Sequence, residues 1–231
     1  MIFIGTISIV HCQTSLNQPI IFEWLDSKSG IENTGLYDGE VHVEEYRTIN
    51  ENTQYFPEPY FVPASLNYGG QWYYSVQLKY DVFNDQLIAR VPNDIGGLAI
   101  QLFKYDISEF RFGTDHFVNL DLLLENTSEA GFFRKVFQSD EFTLLAKLSK
   151  KRFQRKDRNR IYYEFLDAKN GYVLVREGES VIIGNKNDLF DFLPKSEEEI
   201  ESFYKTNKRL WSSDRESFLL EMIKKLENTN Q

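Results

Sequence analysis

The densest group of side chains able to do chemistry is a basic run. Residues 150–160, KKRFQRKDRNR, hold seven lysines and arginines and one acid. Lys150, Lys151, Arg152, Arg155, Lys156, Arg158 and Arg160 could together meet an anionic surface, either lipid headgroups or an acidic patch on an envelope protein. The bland alternative is a solvated loop, or strand ends with outward charges. Nucleic acid is not expected, because it also needs an aromatic platform or a recognition element, and Phe153 alone is neither.

Histidine and carboxylate chemistry is sparser. His42 lies near Glu40, Glu44 and Glu45, and His116 follows Asp115. A histidine and a carboxylate can share a metal. However, there is no HExxH pattern, and residues 184–188, GNKND, lack the closing glutamate of a calcium loop. Both histidines read as ordinary strand or turn residues, and no metal site is assigned. Glycoside hydrolysis needs two carboxylates about 5 to 9.5 Å apart. Asp81 and Asp85 could be considered for it, but Asp85 beside Asn84 reads better as a turn residue. The nucleophile elbow, the phosphate loop and the dinucleotide fingerprint are all missing from the sequence. No catalytic residue and no cofactor are therefore assigned.

Aromatic side chains offer a third kind of site. Tyr55, Phe56, Tyr60, Phe61, Trp72, Tyr73 and Tyr74 could line a glycan groove or a protein interface. On a strand, Trp72 and Tyr74 share one face and Tyr73 and Ser75 the other. The interaction candidates are then Tyr60, Phe61, Trp72 and Tyr74, with the seven cations of the basic run.

The elements that must position these residues are mostly strands. Residues 20–24 and 41–46 read as strands, and three prolines make 51–63 an irregular aromatic loop or an edge. From residue 65 to 91 the signal is clearest: Gly69-Gly70 and Asn84-Asp85 turn the chain between runs rich in aromatic and β-branched residues. Further strands are expected over 98–105, 110–112, 117–120, 131–137 and 142–148. Residues 161–166 and 172–175 are expected to pair with each other, followed by 181–183. Helical patterns come only afterwards. Asn187 is a candidate cap, Pro194 a terminator, and Ser196-Glu199 and Ser213-Glu216 fit capping boxes. Phe218, Leu219, Met222, Ile223 and Leu226 form a stripe at helical spacing.

Length and composition set the frame. The chain has 231 residues, of which 15% are aromatic, and a net charge of −9. Residues 1–128 carry 6 basic and 17 acidic residues, whereas residues 129–231 carry 20 and 18. An acidic front half argues against a nucleic-acid partner there. Residues 1–13, MIFIGTISIVHCQ, read as the remnant of a signal peptide cut before Gln13. A buried strand is the alternative. Cys12 also permits a lipoprotein reading, although His11 is large for the residue before a lipidated cysteine. Later stretches are too short and polar to span a membrane.

The chain resembles an uncharacterised family of exported proteins from Bacteroidota. The resemblance rests on Tyr68-Gly69-Gly70-Gln71-Trp72-Tyr73, on Leu78-Lys79-Tyr80-Asp81 with Asn84-Asp85, and on Glu109-Phe110 through Phe117-Val118. Asn187-Asp188-Leu189 with Phe192 and the basic final helices complete it. It implies export and a β-rich body, and supplies no catalytic residue.

The expected fold is a β-rich α+β fold. An antiparallel meander forms a curved sheet, partly open barrel or sandwich, with C-terminal helices. The expected division is a signal-peptide remnant over 1–13, a β-rich body over 14–184, and a helical region over 185–231 packed on the body. The expected role is non-enzymatic: an exported structural or protein-interaction module of the periplasm or cell exterior. A small hydrolase with paired carboxylates, or a binding protein for a glycan or apolar ligand, is the alternative.

Overall fold

The computed structural model describes residues 35–92, 97–124 and 129–229. The apolar N-terminal run, its cut before Gln13 and the strand expected over 20–24 lie outside these residues.

The turn residues set the meander. β3 (Val62–Tyr68) and β4 (Gln71–Asp81) join at Gly69 and Gly70, whose φ values of 58° and 78° suit glycine. β4 passes to β5 (Gln86–Val91) through Asp85 at φ 54°, a conformation that Asp tolerates better than most residues. β6 (Leu98–Leu102), β7 (Ile107–Phe112) and β8 (Asp115–Asn119) follow, and the short helix α1 (Leu120–Leu123) leads to β9 (Phe132–Gln138) and β10 (Phe142–Lys147). β1 (Gly39–Val41) pairs with β6, and β2 (Tyr55–Phe56) pairs with β4 beyond the end of β3. β13 (Gly171–Arg176) and β14 (Glu179–Ile182) complete a sheet ordered β1-β6-β5-β4-β3-β7-β8-β9-β10-β13-β14. β1 and β14 are its edges, so the sheet is open. Pro63 lies inside β3, opposite Gln77 of β4 and before the pairing with β7 begins at Ser65, so its missing N–H breaks no ladder bond.

One face of the sheet forms the larger core. Leu78, Tyr80, Leu87, Ala89 and Ile100 alternate inward along β4, β5 and β6 and are fully buried or nearly so. Tyr80, Phe110, Phe117 and Phe132 fill the concave side with ring centroids 4.8–5.9 Å apart. Burying each such ring stabilises the fold by about 1.5–3 kcal/mol. The sheet curls far enough for the β4–β5 turn to touch β9 and β10. There Asp85 accepts from Lys104 Nζ at 2.9 Å, Lys147 Nζ at 2.8 Å and Tyr80 Oη at 2.7 Å. Burial raises the Asp85 carboxyl's pKa, but Lys147 and Lys104 outweigh burial and hold it below the usual range. Gly131 makes this approach possible, since a Cβ there would stand 1.8 Å from Asp85 Oδ2.

The helices cover the far end of the sheet. α2 (Lys186–Phe192), α3 (Glu197–Thr206), α4 (Lys208–Ser213) and α5 (Arg215–Thr229) bury Leu189, Ile200, Trp211, Phe218 and Ile223 against Phe142, Leu144 and Leu174. Two of the three expected caps lie one or two residues away, and the third keeps its place without its side-chain bond. Asn185, not Asn187, caps α2 in a reciprocal box with Asp188. Ser196 makes no side-chain cap bond, and the first turn of α3 carries three glutamates that favour the positive end of the helix dipole. Asp214 takes the place expected of Ser213, accepting from Ser217 N at 3.0 Å and Ser217 Oγ at 2.7 Å.

The basic run forms a strand of its own instead of a loop. Residues 161–166 do not pair with 172–175. β12 (Arg160–Asp167) pairs with β11 (Lys150–Asp157) as a separate two-stranded hairpin, and β13 pairs with β10. The expected strand over 41–46 also ends early, at Val41.

Candidate functional site

Strand register builds a polar layer on the face opposite the main core. Glu40 of β1, Gln101 of β6, Ile88 of β5 and Lys79 of β4 lie in one row across the sheet. Gln86, Asp81 and Tyr55 form the next row. Gly39 lets β1 lie this close, because a Cβ there would sit 2.5 Å from the Gln101 carbonyl oxygen. Residues 42–54 cross over this layer as a roof.

The roof is fastened at its start by one carboxylate. Tyr55 Oη donates to Glu44 at 2.5 Å, while His42 Nε2 lies 3.2 Å and Lys79 Nζ 3.5 Å from the same side chain. The His42 bond, with help from Tyr55 and Lys79, draws the Glu44 carboxyl down to about 2. Burial lowers the pKa of the Lys79 ammonium, which lies 3.7 Å from the Tyr55 ring centroid and 5.0 Å from that of Phe61.

The β11–β12 hairpin fastens the rest. Tyr163 N donates to Arg47 O at 2.9 Å, Phe165 N to Asn52 O at 2.9 Å, and Lys150 Nζ to Thr53 O at 2.8 Å. Arg152 stacks 5.4–5.5 Å from the Tyr46, Phe83 and Tyr163 rings. Asn50 and Arg155 both hydrogen-bond Glu164 and hold its carboxyl below the usual range. Three of the seven expected cations thus hold the roof from outside. Lys151, Lys156, Arg158 and Arg160 are exposed on the hairpin.

Between roof and sheet lies a cleft of about 360 Å³. Its walls include Glu40, Glu45, Gln54, Asp81, Gln86 and Gln101. Gln54 and Asp81 are each only 1% exposed. Both Asp81 oxygens accept from Asn84, and burial pushes the carboxyl up. Gln54 Oε1 has no hydrogen-bond partner. Its orientation follows from its neighbour: the Tyr55 hydroxyl spends its proton on Glu44, so Gln54 offers Tyr55 its amide N–H, which leaves its oxygen without a partner. A buried acceptor without a partner costs about 1–3 kcal/mol.

The other expected residues lie apart. Trp72 and Tyr74 share a face, but their rings stack on each other at 5.9 Å, and Arg111 lies 5.3 Å from the Trp72 ring. Phe61 packs near Lys79 and Arg90, and Tyr60 is exposed. His116 hydrogen-bonds Glu109 on the outer face of the sheet, away from His42. Asp81 opens to the roof side and Asp85 to the core side, so the two do not face each other. A second hollow of about 350 Å³ beside Trp211 and Arg215 has two of its charges engaged: Asp214 caps α5, and Arg215 donates to Gly184 O at 3.2 Å. Gln54, Gln86 and Gln101 carry no signal in the sequence. Only the crossing of the roof over the sheet brings them together.

No helix of the described residues is long and apolar enough to cross a membrane. No protein-family model matches the chain, and no match is found among curated proteins or solved structures.

Proposed function

We propose that the chain is a non-enzymatic binding module of the cell envelope that holds a small ligand in the cleft under residues 42–54. The observation that carries the reading is Gln54 Oε1, a fully buried acceptor without a partner on the wall of a cleft of about 360 Å³. Binding sites are concave, with a few fixed polar groups for specificity. The carboxylates nearby are arranged to hold rather than to react. Glu44 is fixed by Tyr55, His42 and Lys79, and Asp81 by Asn84. The envelope setting rests on the apolar N-terminal run and on the family resemblance.

Two experiments test this. Amide chemical shifts recorded with millimolar probes of positive, negative and neutral type should move around Gln54, Gln86 and Gln101 for at least one class. Silence of all classes at the cleft refutes the binding role. N-terminal sequencing of the protein from its host should begin at Gln13. An uncut cytosolic chain refutes export.

A second reading rests on the exposed cations Lys151, Lys156, Arg158 and Arg160, with Phe153 and Leu166 also exposed on the same hairpin. It is contact with an anionic envelope surface. Co-sedimentation with vesicles containing phosphatidylglycerol should fall when these four are changed to Gln, and equal sedimentation would refute it.

A further inference from the structure

We infer that the ligand of the cleft is a small organic cation, an ammonium or guanidinium group on a short aliphatic stem. The inference rests on the binding role proposed above and adds the ligand class. The charged side chains on the cleft wall are acidic, and two of its donors are spent within the protein, Asn84 on Asp81 and the His42 ring on Glu44. Carboxylates come from Glu40, Glu45 and Asp81, and the unpartnered oxygen from Gln54. The protein's own nearby cation is committed elsewhere, since Lys79 is held by Glu44 and by the Tyr55 and Phe61 rings.

The other ligand classes fit less well. An anion would meet three carboxylates. A neutral polyol would bring as many acceptors as donors to a site whose one unmet need is a donor. A metal ion needs several close oxygen or nitrogen ligands. Among the described residues, no group of three or more His, Cys, Asp or Glu side chains could hold one. An N–H donor carrying positive charge supplies the hydrogen bond that Gln54 Oε1 lacks and offsets the charge of the walls. The mouth suits the stem: Val41 and Val43 line the cleft and are 63% and 72% exposed. Methylene groups lying on these valines would remove apolar surface from water. A free alkylamine and the side chain of a lysine or arginine in a peptide share this chemistry.

The test is a titration of the isotope-labelled protein followed by amide shifts, with butylammonium, agmatine, a capped lysine tripeptide, butanol, glucose and acetate as probes. Butylammonium and agmatine should shift the Gln54, Gln86 and Gln101 amides saturably. Gln54→Leu should weaken this about tenfold, the loss of one charge-assisted hydrogen bond. Because Gln54→Leu also removes a bond to Tyr55, the exposed residue Glu45 gives a second variant. Glu45→Gln leaves the fold intact and should weaken binding roughly twofold to fivefold. Saturable shifts from the tripeptide as well assign a peptide source, and shifts from the free amines alone assign a small metabolite. If glucose, butanol or acetate moves the cleft amides and the cations do not, the ligand class is wrong while the binding role stands. If no probe moves them, both fall.

Discussion

Replacing Asp85 with Asn should cost more stability than any other single isosteric change on the β4–β5 turn. The side chain keeps its shape, and Asn tolerates the φ of 54° at this position. Its remaining oxygen can still accept from Tyr80. What disappears is the charge that faces Lys104 at 2.9 Å and Lys147 at 2.8 Å. Removing one partner of a buried pair costs about 3–5 kcal/mol. The side chains of Asp85 and Lys147 are 17% and 21% exposed and that of Lys104 38%, which argues for the lower end, about 3 kcal/mol. For a chain of this size that is a fall in Tm of roughly 6–12 °C. The pH dependence supplies the stricter check. A carboxyl whose pKa is lowered by folding stabilises the protein above its unfolded pKa, and this is lost as pH falls through the lower folded value. Urea unfolding of both proteins should therefore show the full difference at neutral pH and a shrinking one below about pH 4. A difference under about 0.5 kcal/mol at neutral pH, or one that stays constant into acid, would refute the role given to Asp85.

Three further outcomes follow from the same geometry. Glu44→Gln should destabilise the protein by about 1–2 kcal/mol, because half of the carboxylate is in water and its full shift would correspond to about 3. Its contribution is present above the ordinary value of 4.5 and fades as pH falls toward about 2, which acid unfolding curves of the two proteins will show. Arg152→Ala removes stacking on three rings, costs about 1–2 kcal/mol, and should speed hydrogen exchange at the Ile49 and Tyr163 amides while leaving core strands unchanged. Unaltered exchange at those two amides would show that the hairpin does not hold the roof. Gly39→Ala forces a Cβ to within 2.5 Å of Gln101 O and Ile100 Cγ2, so a loss of about 1–3 kcal/mol in urea unfolding is expected.

The meander was legible because its turns carry their own chemistry. Gly69-Gly70 and Asn84-Asp85 mark both ends of β4 in the sequence, and β5 runs over Gln86–Val91 as its residues suggest. The hairpin of β11 and β12 was not legible as a pair. β11 is exposed along nearly its whole length, so it lacks the alternation of apolar and polar residues that marks a half-buried strand. Its charge density reads as a loop, and the short 167–171 connection suggests the wrong partner for β12. The caps of α2 and α5 were displaced by one or two residues for a simpler reason: several Asn, Asp and Ser residues sit together at those two helix starts, and spacing alone does not choose among them. The cleft was hidden entirely. Glu40, Gln54, Asp81, Gln86 and Gln101 come from four strands and a loop, and no local pattern links them.

The uneven charge of the chain takes a different meaning once the roof and hairpin are seen together. An acidic front half and a basic run invite the search for an external partner for each. In the fold the basic run meets the roof first. Lys150 and Arg152 reach across to residues 46–53, and Arg155 is bound to Glu164, which in turn accepts from Asn50 of the roof. The hairpin cations bond neutral oxygens of the roof, the Thr53 carbonyl and the Tyr46 hydroxyl, rather than its glutamates. Such hydrogen bonds are individually modest. Combined with three backbone hydrogen bonds and the Tyr46, Phe83 and Phe165 ring cluster, they form a cooperative latch. The acidity that remains unpaired, at Glu40 and Glu45, is then concentrated at the mouth of the cleft. The hairpin cations named here are taken up by the roof oxygens and by Glu164, which leaves the cleft wall acidic, the condition a cationic ligand requires.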